Sequence, residues 1–407
     1  MSSIFHFIRK PRHLSLFLIF FLFFYSTHLS GQFLAPKLSD QARVSLLTCD
    51  PGQELYSVFG HSALWVYDPY RHIDRVYNYG TFDFDTPHFY LKFMRGRLNY
   101  KLSVSTFNYF YQDYVRENRS VREQVLNLTS KEKQLLFQLL ETNYLPENRY
   151  YRYDFFYDNC STRIRDIVFK ASGNRFILPE NSDDHKSFRA LLESLLAPIP
   201  WVQTGIFLLL TRGADQPASD WEYMFLPNRM EELFSVARDT DNLPLVSGSR
   251  TIFKAQNVKA GHSSWAPPVT ISLVILLISV LLFMFRNPES FESRLFDSLL
   301  FLLIGLTGSL FLFMWVFSAH QVSHANLNLV WAFPLHLIIP VLVWFRRSGK
   351  FLKSYTRILL VLMVPGLFMM IFGTQQIPVV GYVLFLVTAL RLTDQSGWLH
   401  PVQKKPE

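Results

Sequence analysis

From residue 268 onward the chain is dominated by apolar runs, and no other feature limits its fold as much. The runs at 269–285, 299–317, 329–345, 358–372 and 377–390 contain no Asp, Glu, Lys or Arg. The first three match the ~17–25 residues of a bilayer-spanning helix. The last two are short and are parted by the polar turn Gly373-Thr374-Gln375-Gln376. Basic residues orient the bundle. Arg286, Arg294, Arg346, Arg347, Lys350, Lys353, Arg357, Arg391, Lys404 and Lys405 all fall in 286–298, 346–357 and 391–407, whereas 318–328 and 373–376 hold no Lys or Arg. Placing the basic loops in the cytoplasm gives five spans over 268–407, with the C-terminus inside and the preceding region outside.

The same loops account for the net charge of +8, once their five acidic residues and the basic Arg9, Lys10 and Arg12 are included. No basic face is left over as a phosphate-backbone footprint, which argues against a nucleic-acid partner. Arg9, Lys10 and Arg12 precede an apolar run at 14–25 and the small residues Ser30 and Gly31. This is the pattern of a secretory signal over 1–31, with an uncleaved anchor as the alternative.

Residues 32–267 are then one exported domain. Strands are expected at 44–48, 62–67, 75–84 and 98–105, with turns at Asp50-Pro51-Gly52 and Asp68-Pro69-Tyr70-Arg71. Thr129-Ser130-Lys131-Glu132 is a capping box opening a helix to about residue 141. Further helices are expected from Cys160 and over 186–196 and 227–238. The class is α+β: a short antiparallel sheet with helices beside it.

Two residues carry chemistry. Cys160, in Asp158-Asn159-Cys160-Ser161-Thr162, opens a helix, where the dipole and unpaired N–H groups favour a thiolate. His61, in Phe59-Gly60-His61-Ser62, opens an apolar strand from which it could take the thiol proton. A hairpin turning at 69–72 sets residue 61 opposite 80 and offers Asn78 to the far ring nitrogen, with Tyr79 and Asp83 as alternatives. Cys49 reads as structural. A Cys49–Cys160 disulfide would instead make the domain a non-enzymatic binding or assembly factor. No ligand cluster has zinc spacing, and no cofactor is expected.

The order His-then-Cys, with His on an early strand and Cys opening a later helix, resembles the permuted papain-like (NlpC-type) enzymes, lecithin–retinol acyltransferase among them. A longer resemblance joins 51–62, 77–84, Arg95-Gly96-Arg97-Leu98-Asn99-Tyr100 and Asp158-Asn159-Cys160-Ser161-Thr162-Arg163 to the periplasmic domain of the Lnb family, Bacteroidetes membrane proteins named for a lipoprotein N-acyltransferase. Gly213-Ala214-Asp215, Met224-Phe225-Leu226-Pro227, His320-Gln321-Val322 and Asn326-Leu327-Asn328 extend it into the bundle. The resemblance implies an inner-membrane enzyme that moves an acyl chain from a phospholipid to the α-amine of a diacylglyceryl-cysteine lipoprotein. His61 and Cys160 would serve as base and nucleophile and Asn78 as the orienting group.

In such a reaction the Cys160 amide and the Asn159 side chain would steady the oxyanion. Trp201, Phe207, Trp221 and Phe225 could form an apolar doorway, or ordinary core. His320, His324, Asn326 and Asn328 could touch the lipid head group or the exported domain, or simply cap two helices. A cell-wall cysteine peptidase or amidase would use the same Cys-His pair, but such enzymes rarely need five spans.

Overall fold

The computed structural model describes residues 34–179, 186–256, 267–345 and 349–399. The signal expected over 1–31 and the basic residues Arg346, Arg347, Lys404 and Lys405 lie outside them.

Seven antiparallel strands form one sheet in the order β6-β4-β3-β2-β1-β5-β7. They are β1 (Arg43–Cys49), β2 (His61–Asp68), β3 (Ile73–Thr81), β4 (Asn99–Ser105), β5 (Val121–Leu126), β6 (Tyr150–Arg152) and β7 (Val246–Phe253). The central strands are buried along almost their whole length, because helices cover both faces. Helix α1 (Phe89–Met94) follows β3, and α2 (Phe107–Arg116) follows β4. Phe110 and Tyr114 of α2 pack on Leu47, Cys49, Ala63, Trp65 and Val76, which share one face. The opposite face takes α3 (Ser130–Tyr144) and α4 (Cys160–Ala171). There the Tyr77 hydroxyl donates to Glu141, and the Ser62 and Ser161 hydroxyls lie 3.1 Å apart.

The sheet exceeds the expected one by β5, β6 and β7. Strand β5 reads Val-Arg-Glu-Gln-Val-Leu, too polar to suggest a strand, yet Glu123 is fully buried. Its carboxylate accepts from Ser45 Oγ at 2.7 Å and Arg250 Nε at 2.6 Å, and these partners come from two other strands. The capping box at Thr129 closes as expected, and α3 runs slightly further than anticipated.

After α4 the chain forms α5 (Phe188–Leu196), the apolar α6 (Pro200–Leu209) and α7 (Pro227–Val236). The membrane region follows as α8 (Pro268–Phe285), α9 (Phe291–Phe317), α10 (Gly349–Phe372) and α11 (Val379–Ser396). Among the described residues, α8, α9 and α10 are long and apolar enough to cross a bilayer. The run expected at 329–345 is not one straight helix. Gln321–Val330 and Pro334–Leu342 form a pair bent by 53°, a fourth span only if taken together. Pro334 and Pro340 explain the break, since proline removes a helix hydrogen bond and fixes its own φ.

By length and composition three helices among the described residues are spans, or four with the bent pair taken as one. The last segment does form a helix, α11, but one that buries charge. Arg391 bridges Asp297 at 2.7 and 3.0 Å and Asp394 at 2.8 Å, with none of the three exposed. Charges inside a bundle require such pairing.

The domain is tied to the bundle through main-chain carbonyls at the end of α6. Asn326 Nδ2 donates to Leu208 O at 2.7 Å, and Gln375 Nε2 to Leu210 O at 3.4 Å. Thr211 N donates to Val322 O at 2.7 Å. The buried Arg189–Asp215 pair (2.5 Å) reinforces the joint, with Arg189 donating to Phe207 O and Asp215 accepting from Gln376 N.

Candidate active site

The site grows from two glycines. Gly60 has φ +80°, and a Cβ on it would come within 2.9 Å of the Cys49 carbonyl. Only glycine satisfies both limits, and the turn it makes starts β2 at His61. Gly80 has φ +91°, and a Cβ there would stand 3.7 Å from Cys160 Cβ and 3.9 Å from His61 Cε1. The backbone of β3 thus passes directly beside both side chains, as the expected pairing of 61 with 80 requires. The β2–β3 register, Leu64 with Tyr77 through Asp68 with Ile73, leads on to that pair.

His61 Nε2 lies 2.6 Å from Asn78 Oδ1. An amide oxygen only accepts, so Nε2 carries the hydrogen and Nδ1 is left for Cys160. The thiol hydrogen-bonds the imidazole, the Ser62 amide and, at 3.9 Å, the Ser161 hydroxyl. Burial alone would push the thiol up, but the charge and hydrogen bond of His61, with the Ser62 and Ser161 contacts, bring it below an ordinary cysteine. Burial likewise opposes charge on His61, but the Cys160 thiolate and the Asn78 oxygen outweigh it and raise the imidazole. Both shifts favour an imidazolium–thiolate pair. Cys160 is buried, at 8 % exposure.

The alternatives to Asn78 point elsewhere. The buried Tyr79 hydroxyl accepts from Asn143 at 2.7 Å, and the exposed Asp83 carboxylate caps the Asp85 amide at 2.9 Å.

Asn159 departs from its expected part in the oxyanion site. It is the N-cap of α4: its Oδ1 accepts from the Ser161 and Thr162 amides at 2.8 and 2.9 Å. Its Nδ2 donates to Phe155 O at 2.7 Å and Phe225 O at 2.9 Å. Both amide hydrogens are committed, so the side chain has none for an oxyanion. The cap does leave the Cys160 amide, first in the helix, unused.

Cys49 and Cys160 are both free, which corrects the disulfide alternative. Cys49 is sealed in the α2 face, and burial pushes its thiol up to about 12. Among the described residues, no three His, Cys, Asp or Glu side chains gather as metal ligands would.

Two family models match this chain. The Lnb N-terminal periplasmic domain matches residues 37–193, and the Lnb transmembrane domain matches residues 260–397. The chain belongs to the Lnb family. It is therefore a membrane protein with a periplasmic N-terminal domain, and His61, Asn78 and Cys160 all lie in that Lnb domain. No curated protein and no solved structure matches it.

The outer-loop residues of this Lnb protein are mostly spent on structure. Asn326 and Asn328 are buried, and both donate to Leu208 O, at 2.7 and 3.1 Å; Asn328 Oδ1 accepts from Trp331 Nε1 at 2.9 Å. Of the expected partners, these two asparagines meet the exported domain rather than a lipid head group. His324 bonds Ser318 O at 3.0 Å within its own loop. His320 is half-buried, with Nε2 3.1 Å from Phe93 O of α1.

Of the expected doorway aromatics, Phe225 is core, 1 % exposed. Trp221 packs edge-on to Phe169 at 4.9 Å. Trp201 and Phe207 stand on α6, whose end packs on the bundle core. An exposed aromatic cluster lies instead at the end of β3 and on α1, where Phe82 meets Tyr56, Phe84 and Phe89. The density of aromatics over 82–93 was the available signal.

Proposed function

We propose that this protein is a lipoprotein N-acyltransferase of the inner membrane, with its C-terminus in the cytoplasm and its sheet-plus-helix core a permuted papain-like fold. One observation carries the reading: the line Asn78–His61–Cys160, in a domain bound side-on to a membrane bundle. His61 accepts the Cys160 proton at Nδ1, while Asn78 fixes the ring from the other side. The thiolate attacks an ester carbonyl of a phospholipid. A C–S bond forms, the ester C–O bond breaks, and the lysophospholipid oxygen takes its proton from the His61 imidazolium.

The Cys160 amide faces the developing oxyanion, a contact typically worth about 3 kcal/mol. The α-amine of a diacylglyceryl-cysteine lipoprotein then attacks the thioester. A C–N bond forms and the C–S bond breaks; His61 takes the proton that the amine loses and passes it to the departing thiolate. Neither half-reaction calls for a cofactor, and the two together give ping-pong kinetics.

Intact mass after incubation with phospholipid, beside Cys160→Ser, tests this. The expected result is an acyl adduct on the wild type only, removed by hydroxylamine and passed to a lipopeptide amine. An adduct that survives Cys160→Ser, or none on the wild type, would overturn it.

A further inference from the structure

An aromatic strip joins the thiol to the membrane, and nothing in the chemistry above requires it. Phe82 comes two residues after Gly80, on which a Cβ would stand 3.7 Å from Cys160 Cβ. Its ring meets Tyr56 at 6.1 Å, Phe84 at 4.9 Å and Phe89 at 5.8 Å. Phe89 stacks on Phe93 (6.5 Å, planes 6° apart), and Phe93 meets His320 at 6.4 Å. His320 comes three residues after the end of the apolar helix α9. Ala319 N also donates to Arg95 O at 3.1 Å, so α1 is seated on the outer end of that helix.

The strip is open. Tyr56, Phe84, Tyr90 and Phe93 are 57, 59, 76 and 48 % exposed, and no residue of α1 is buried. A contiguous exposed aromatic patch of this kind marks an interaction surface. Its continuity with a membrane-crossing helix places one end at the bilayer surface, where aromatic rings are favoured. Lys92 and Arg97 flank it and suit an anionic phosphate.

We propose that this strip is the binding surface for an acyl chain of a bilayer phospholipid, which rises past α1 and lies along Phe93, Phe89 and Phe82 toward Cys160. The inference rests on the acyl-transfer reading for its purpose, but its test does not use that activity.

Full-length Cys160→Ser protein is placed in nanodiscs of phosphatidylethanolamine and phosphatidylglycerol, doped with a phosphatidylethanolamine bearing a mid-chain diazirine. After photolysis the labelled peptides are mapped. Label is expected within 82–93 as well as on α8, α9 and α10. In Phe89→Ser/Phe93→Ser, label within 82–93 is expected to be lost while label on α10 stays as the internal standard. Gel filtration and circular dichroism identify any variant that fails to fold; Tyr90→Ser, at a fully open position, is the second variant.

Label within 82–93 no higher than on β7, or a cross-link there to a second copy of the chain, would overturn the proposal. A wild type that forms no thioester while 82–93 is labelled would overturn only the acyl-transfer reading.

Discussion

At the scale of single residues, the two cysteines differ by environment alone. Cys160 has a histidine, an amide and a hydroxyl around its sulfur, and its thiol is held below an ordinary cysteine. Cys49 has a closed apolar face, and its thiol is pushed up to about 12. Iodoacetamide should therefore modify Cys160 alone in the folded protein at neutral pH, and Cys49 only after denaturation. Because the folded pKa is lowered, the alkylation rate should rise with pH at a lower pH than for a free thiol. In His61→Ala the lowering charge and hydrogen bond go while burial stays, so the rise should move above the free-thiol position. Asn78→Ala should move it less. Thioester formation should rise with pH through the Cys160 value and fall through the raised His61 value, as the imidazolium that protonates the leaving group is lost. Alkylation needs no such proton and should stay on its plateau. An alkylation profile unchanged in His61→Ala would remove the ion pair from the mechanism.

At the scale of elements, α4 owes its start to Asn159, which holds four backbone groups at once. Asn159→Ala should cost about 2 kcal/mol, from the lost cap and the unpaired carbonyls. Asn159→Asp keeps the cap acceptor but turns carboxylate oxygen toward Phe155 O and Phe225 O, and should also destabilise. Denaturant midpoints of the detergent-solubilised protein measure both. A variant with full stability and lost acylation would return Asn159 to the oxyanion site. Much of this helix was legible in sequence, because Asn-Cys-Ser-Thr is a capping signal read from adjacent residues. Strand β5 was not, because the groups that neutralise Glu123 lie on β1 and β7, and no local window contains them.

At the scale of the whole molecule, the 318–328 loop packs against the periplasmic domain, through Thr211 N to Val322 O and His320 to Phe93 O. That puts the loop on the same side of the membrane as the periplasmic domain. In a Cys160→Ser background the remaining Cys49 is sealed in the core, so introduced cysteines report cleanly. Gln321→Cys should react with a membrane-impermeant maleimide in intact spheroplasts, and Glu289→Cys only after permeabilisation. The reverse pattern would refute the orientation read from the basic loops.

The sequence by itself determined the membrane-bound class, the order of a periplasmic domain before a membrane region, and the hairpin register that sets residue 61 opposite 80. Each of these is written in runs of neighbouring residues or in a single hairpin register. Tertiary structure decided that Asn78 rather than Tyr79 or Asp83 meets the histidine, since adjacent positions on a strand face opposite ways and a slip of one residue reverses the choice. It also decided that Asn159, Asn326 and Asn328 serve the fold. An asparagine's donors and acceptors can serve a ligand only where distant main-chain carbonyls and amides have not already claimed them.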